Sequence, residues 1–243
     1  PPASSSAPVL RVPKGSTGEG PRGLGPRYLI TFSVSDRACF IGHLDKTEIF
    51  RRAVRRAGGR LALSEGMRPK ALLTLVLPLA VGVCGRGEMC EFELAEEPPS
   101  GFIARLASSL PPGMQVVSSA PYHAARRAAG RVIGATYEVT VTTDLAVGCA
   151  GERFARAVRL FAEAPAVPVL VAKGDGVRST DVKTFVDSLE VRPGEGNDRV
   201  VVFTARVSPS GTVRPETVTA SLAVLGGFEL DVTKIERTEI LLS

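Results

Sequence analysis

Two amphipathic helical stretches, each set among runs of β-branched and aromatic residues, constrain this fold most. Phe50, Ala53, Val54 and Ala57 recur at helical spacing. Arg51 with Arg55, and Arg52 with Arg56, form two rows on the other faces, which predicts a basic-faced helix over 43–57. Residues 28–34 before it read as a strand. Gly58 and Gly59 end the helix, and Arg55 and Arg56 suit the negative end of its dipole. Beyond them, 61–63 reads as an edge strand or part of a hairpin and 64–70 as a loop. Strands are predicted at 71–77 and 88–94, joined by a glycine-rich segment at 81–87. A second helix over 98–110 carries Phe102, Ile103, Leu106 and Leu110 on one face, and 114–120 returns as a strand. Strand, helix, two strands, helix, strand is the split βαβ order of a ferredoxin-like domain.

The order then starts again. A strand at 137–142 precedes a helix over 152–162 with Phe154, Ala157, Val158 and Phe161 inward. Next come a strand at 167–172, a loop at 173–178, and strands at 182–191 and 200–207. A helix opened by Pro215 runs to Leu225, and the last strand spans 228–242. The expected fold class is α+β, with two tandem ferredoxin-like (split βαβ) domains and antiparallel sheets, over 27–122 and 136–243. A basic connector at 123–135 joins them. At 243 residues and 44% hydrophobic content, the chain is long enough for two cores of roughly 100 residues each. Residues 1–26, rich in Pro, Gly and Ser without a hydrophobic period, are expected to form a disordered or extended arm. Their Ser and Arg content with few acids fits a transit-peptide remnant as well as a trimmed terminus.

The longest apolar run, 71–83, is broken by Pro78 and is shorter than the roughly 18–20 residues of a spanning helix, so no membrane span is expected. Thirty Lys and Arg against 25 Asp and Glu leave a net charge of +5, which suits an anionic partner such as RNA. The cysteines Cys39, Cys84, Cys90 and Cys149 show no Cys-x-x-Cys spacing and lie in apolar surroundings. They are expected to be free thiols in a reducing compartment: a bacterial cytoplasm, or a plastid or mitochondrial interior. No metal site or cofactor is expected.

Candidate functional residues concentrate between 39 and 70. The Arg51, Arg52, Arg55 and Arg56 face, extended by Arg60, Arg68 and Lys70, suits phosphate oxygens. The plainer reading is a solvated helix face, to which Glu48 and Arg52 add a same-face pair. His43, with Asp45 beside it, has the residue type of a general acid or base. Without a second histidine, a nucleophile or a carboxylate pair, Asp45 reads as favouring the helix start, with His43 bonding the next loop. Arg126, Arg127 and Arg131 form a second basic patch, read equally as solubility. Neither patch carries the aromatic pair of a base-stacking sheet. Lys173-Gly174-Asp175-Gly176 and the 82–87 glycines read as turns rather than phosphate loops.

Several of these residues together resemble the radical-SAM-linked conserved hypothetical family. They are Gly42-His43-Leu44-Asp45, the 50–58 helix, Ser64-Glu65-Gly66 with Pro69 and Lys70, 77–83 with Glu88, Thr180 to Val186, Arg214-Pro215-Glu216 and Ile235-Glu236-Arg237. The likeness covers roughly 27–242. It departs at Arg68 and Ala71, where the family usually has Asn and a second Pro. The resemblance implies a bacterial-type domain of unknown function, fused to or encoded beside a radical SAM protein, often near a ribonuclease of the E/G type and large-subunit ribosomal proteins. With no Cys-x-x-x-Cys-x-x-Cys, the chain resembles the accessory part. Three functions follow as expectations. The first is a non-catalytic RNA- or ribonucleoprotein-binding accessory protein, associated with the ribosome in the sense its genomic company implies. The second is a protein adaptor for a radical SAM enzyme or other complex. The third is an RNA-processing enzyme with His43 as acid or base.

Overall fold

The structure, a computed structural model, describes residues 25–243 except Gly66, Gly174, Asp175 and Ser210. Residues 1–24 of the expected arm, the Gly66 position of the 64–70 loop and the centre of the 173–178 loop therefore lie outside the described residues. The first half runs β1 (Arg27–Val34), α1 (His43–Arg56), β2 (Leu73–Leu75), β3 (Cys84–Glu93), α2 (Phe102–Ser108) and β4 (Met114–Pro121). The second runs β5 (Val132–Thr143), α3 (Val147–Glu163), the hairpin β6 (Pro168–Lys173) and β7 (Gly176–Asp181), β8 (Val186–Pro193), β9 (Arg199–Arg206), α4 (Pro215–Gly226) and β10 (Leu230–Leu242). The chain is an α+β protein with a large, mostly antiparallel sheet. No helix among the described residues is long and apolar enough to cross a membrane.

Each half repeats one strand arrangement. In the first, β4, β1, β3 and β2 pair side by side and antiparallel; in the second, β10, β5, β9 and β8 do the same. The sheets expected to be separate are one eight-stranded sheet. The short β2 covers only the later part of β3, up to Leu75 opposite Cys90, which leaves Cys84 and Gly85 to pair parallel with Glu236 and Arg237 of β10. Glycine permits this seam: a Cβ on Gly87 would stand 2.6 Å from the Thr238 carbonyl oxygen. The glycine-rich stretch read as a loop is thus, from Cys84 on, the strand that joins the halves.

All four helices lie on one side of the sheet. Ile30, Phe32, Cys90 and Phe92 pack beneath α1 and α2 with Phe50, Val54, Phe102 and Leu106. Val139, Val141, Val201 and Phe203 pack beneath α3 and α4 with Phe154, Ala157, Val218 and Leu222. Ile235 of β10 packs against both clusters, and one side chain projects from only one side of a strand. The opposite side carries a small cluster of Met89, Val76, Ile240 and Ala128, which brings the connector under the first half. Burial of each large side chain contributes about 1.5–3 kcal/mol.

Four further expectations are corrected. Cys39 and Cys84 form a disulfide, leaving Cys90 and Cys149 as free thiols. They are 45 residues apart, and only the turn after β1 and the start of β3 bring their Cα atoms to 5.0 Å; spacing along the chain carried no sign of it. The 173–178 loop is narrower than predicted, because Lys173 pairs with Gly176 and the hairpin continues into β7. The helix predicted over 98–110 is shorter, starting at Phe102 behind Gly101, whose φ of +72° suits glycine. The one predicted over 152–162 is longer, and starts at Val147.

Candidate functional site

α1 has one buried row, Lys46, Phe50, Ala53 and Val54, and an exposed row, Arg51, Arg52, Arg55 and Arg56. Ala57 closes it and Gly58 turns away at φ +88°. Arg105 of α2, not singled out from sequence, donates from Nε to the Ala57 carbonyl at 3.0 Å and so satisfies part of the helix end. Between α1 and the segment after it lies an open groove of about 390 Å³. Arg51, Arg52, Arg55 and Arg60 line it with Glu48 over a floor of Gly59, Leu61 and Ala71. Gly59 sits tightly on Phe102: a Cβ there would be 2.6 Å from the ring.

The groove is not neutral. Glu48 lies 3.6 Å from Arg51 and 3.1 Å from Arg52, and Glu96 lies 3.2 Å from Arg60. Among the described residues, neither Arg55 nor Arg56 is paired with a carboxylate. Exposed pairs of this kind are worth about 0–1 kcal/mol, so a multivalent anion displaces them at small cost. Arginine forks match phosphate oxygens in pairs. Arg56 lies outside the groove lining. Arg68 and Lys70 are exposed on the adjoining loop, which Ser64 closes through its N–H to the Lys70 carbonyl at 2.8 Å and its Oγ from the Lys70 N–H at 3.0 Å.

His43 and Asp45 stand apart from this groove. Gly42 is the N-cap of α1, Asp45 is exposed in the first turn, and His43 is half-buried. The His43 Nδ1 is buried with no hydrogen-bond partner, so the expected bond to the next loop does not form there. Beside them is a cluster that sequence reasoning missed. Arg237 of β10 is buried and donates to both Glu88 oxygens, at 2.8 and 2.6 Å, and to the carbonyls of Leu77 and Pro78 at 2.8 and 3.1 Å. Burial works against the guanidinium charge, and the Glu88 carboxylate more than offsets it, so its pKa is raised. Lys46, also buried, donates to the Ile41 carbonyl at 2.6 Å. Its pKa is lowered, chiefly by burial; Glu88 opposes that shift and Arg237 adds to it. Glu88 and Arg237 stood in the sequence among the family-like residues, but nothing there linked them across 149 positions.

The connector arginines are largely engaged. Arg127 lies 3.1 Å from Glu91 and 3.4 Å from Glu93, both carboxylates almost wholly buried, and the Ala128 N–H donates to Glu91 at 2.6 Å. Arg27 stands 3.8 Å from Glu91. Arg131 donates to the Ser243 carbonyl and, at 3.5 Å, to the Tyr122 hydroxyl. Arg126 is exposed, and its carbonyl accepts from Tyr122 at 3.0 Å.

With the fold and these contacts established, the chain can be set beside known proteins. Residues 27–215 match the family described as an uncharacterized protein conserved in bacteria, DUF2344. The chain belongs to the DUF2344 family. No curated protein matches it. A chain in the crystal structure of a Cbf5-Nop10-Gar1 complex is similar at a TM-score of 0.47 and 10% identity, over 93% of this chain and 56% of that one. A protein assigned as a glycine cleavage system transcriptional repressor is similar at a TM-score of 0.23 and 14% identity, over 87% and 98%. Likenesses this slight say nothing about what a DUF2344 protein binds.

Proposed function

We propose that this DUF2344 protein is a non-catalytic accessory protein that binds RNA, alone or within a ribonucleoprotein such as the ribosome, through α1 and the loop after it. The observation that carries the reading is the α1 groove, where Arg51, Arg52, Arg55 and Arg60 converge and, among the described residues, no acid pairs with Arg55. Phosphate contacts supply most of the sequence-independent affinity for nucleic acid and make it salt-dependent. In the same reading each half is a ferredoxin-like domain, 27–122 and 136–243; the repeated strand order supports that assignment. Replacing Arg51, Arg52, Arg55 and Arg56 together by Glu should lower RNA or ribosome association at least 100-fold at low salt, with thermal stability nearly unchanged. Unaltered association would overturn the reading.

A second reading, a protein adaptor such as one serving a radical SAM enzyme, is favoured by Phe40, Leu44 and Val81, which are 70, 80 and 62% exposed near the start of α1. An adaptor keeps its partner after ribonuclease treatment, and an RNA-dependent association is lost. Catalysis by His43 has less support, since it does not line the arginine groove and its Nδ1 is buried without a hydrogen-bond partner.

A further inference from the structure

The repeated topology places a second basic helix where nothing in the sequence had drawn notice. α3 occupies in the second half the place of α1 in the first: each follows its half's first strand and crosses to a strand two places away. β1 runs antiparallel to β3, β3 parallel to β10, and β10 antiparallel to β5, so β1 and β5 point the same way. The halves are therefore related by a shift along the sheet, and α1 and α3 run in the same direction on the same side. On α3, Phe154, Ala157 and Phe161 face the core, while Arg153, Arg156 and Arg159 are exposed. Arg153 reaches the Gly226 carbonyl at 3.4 Å. Among the described residues, neither Arg156 nor Arg159 is paired with a carboxylate. Between the two helices, α4 shows Ala220 and Val224 to solvent, and its one exposed acid, Glu216, lies in its first turn. Strand and helix spacings put the two arginine rows about 15–20 Å apart.

We infer that α3 is the second half of the binding surface, and that the partner is double-stranded or hairpin RNA laid across the helical side from the α1 row to the α3 row. This rests on the RNA reading above and deepens it. Two arginine rows, that of α3 lying between the exposed Glu152 and Glu163, flank a strip that is uncharged at Ala220 and Val224, an arrangement that fits the backbones on either side of a groove in a rigid duplex. Single strands are usually held by stacking on exposed aromatics. The aromatics of these two helices, Phe50, Phe154 and Phe161, are buried.

The test uses the full chain and a synthetic RNA duplex of roughly 16 base pairs, the span of a shape-reading RNA domain. Fluorescence anisotropy gives Kd over a series of salt concentrations. Arg156→Ala with Arg159→Ala should weaken binding at least tenfold at low salt and reduce the salt slope by about 2. Arg192→Ala, on the opposite side of the sheet and paired with Glu190, should change neither. If the wild type binds duplex but the α3 variant keeps its slope and affinity, this inference fails and the α1 reading stands. If the wild type binds no RNA, the α1 reading itself fails. Tighter binding of a single strand of equal length overturns the duplex assignment, and equal binding of duplex DNA overturns RNA as the partner.

Discussion

The arginines of the seam and those of the helical side show how little charge alone says about a residue's task. Arg237 is buried between β10 and β3, with both Glu88 oxygens and two carbonyls around one guanidinium. Arg55 and Arg56 stand in solvent, paired with no acid among the described residues. Both kinds count equally in the net charge of +5. Only the first kind holds the fold, because a buried ion lacking its partner carries a desolvation cost that an exposed one does not. Arg127 of the connector belongs with the seam: together with Arg27 it faces the buried Glu91 and Glu93 and ties the connector down, whereas Arg126 is exposed.

This contrast can be broken by measurement. Arg237→Ala should cost about 3–5 kcal/mol, lowering Tm by about 10 °C, because it strands Glu88; a shift under 2 °C would remove the distinction. Replacing Cys39 and Cys84 by Ser should cost about 2–4 kcal/mol through the loop they close. Thiol titration of the unfolded protein should find two reactive groups before reduction and four after. Arg127→Ala should cost on the order of 1–2 kcal/mol, read by denaturant unfolding, because Arg27 remains near Glu91. The Lys46 effect is smaller and depends on pH. Its folded pKa lies below the ordinary 10.5, so the cost of its buried charge is present in full at neutral pH. That cost lifts as pH rises through the lowered value toward 10.5, where the unfolded chain still holds the proton. Lys46→Met should remove this alkaline gain in stability. Arg55→Ala with Arg56→Ala should move stability by no more than about 0.5 kcal/mol while weakening RNA binding.

How much of this was legible beforehand follows from where each signal resides. The period of Phe50, Ala53 and Val54 is local, so α1 could be placed to within a residue of its end. The α+β class and the mostly antiparallel pairing followed from the succession of elements. The single sheet did not, because Gly87 serves a close approach between distant strands, and glycine in sequence reads first as a turn. The arginine face of α1 was visible because its four members are adjacent; that of α3 was overlooked because Arg153, Arg156 and Arg159 are spread along a helix whose apolar row drew the attention. Partners such as Glu88 and Arg237, or Cys39 and Cys84, are set by tertiary geometry, and no local pattern reports them.

The parallel seam between β3 and β10 has one more consequence. Paired about a two-fold axis, the halves would present a palindrome and suit a partner with matching symmetry. Shifted along the sheet instead, they give the surface a head and a tail. A hairpin laid across α1 and then α3 would meet the two in a fixed order, so its loop end and its open end would not be interchangeable.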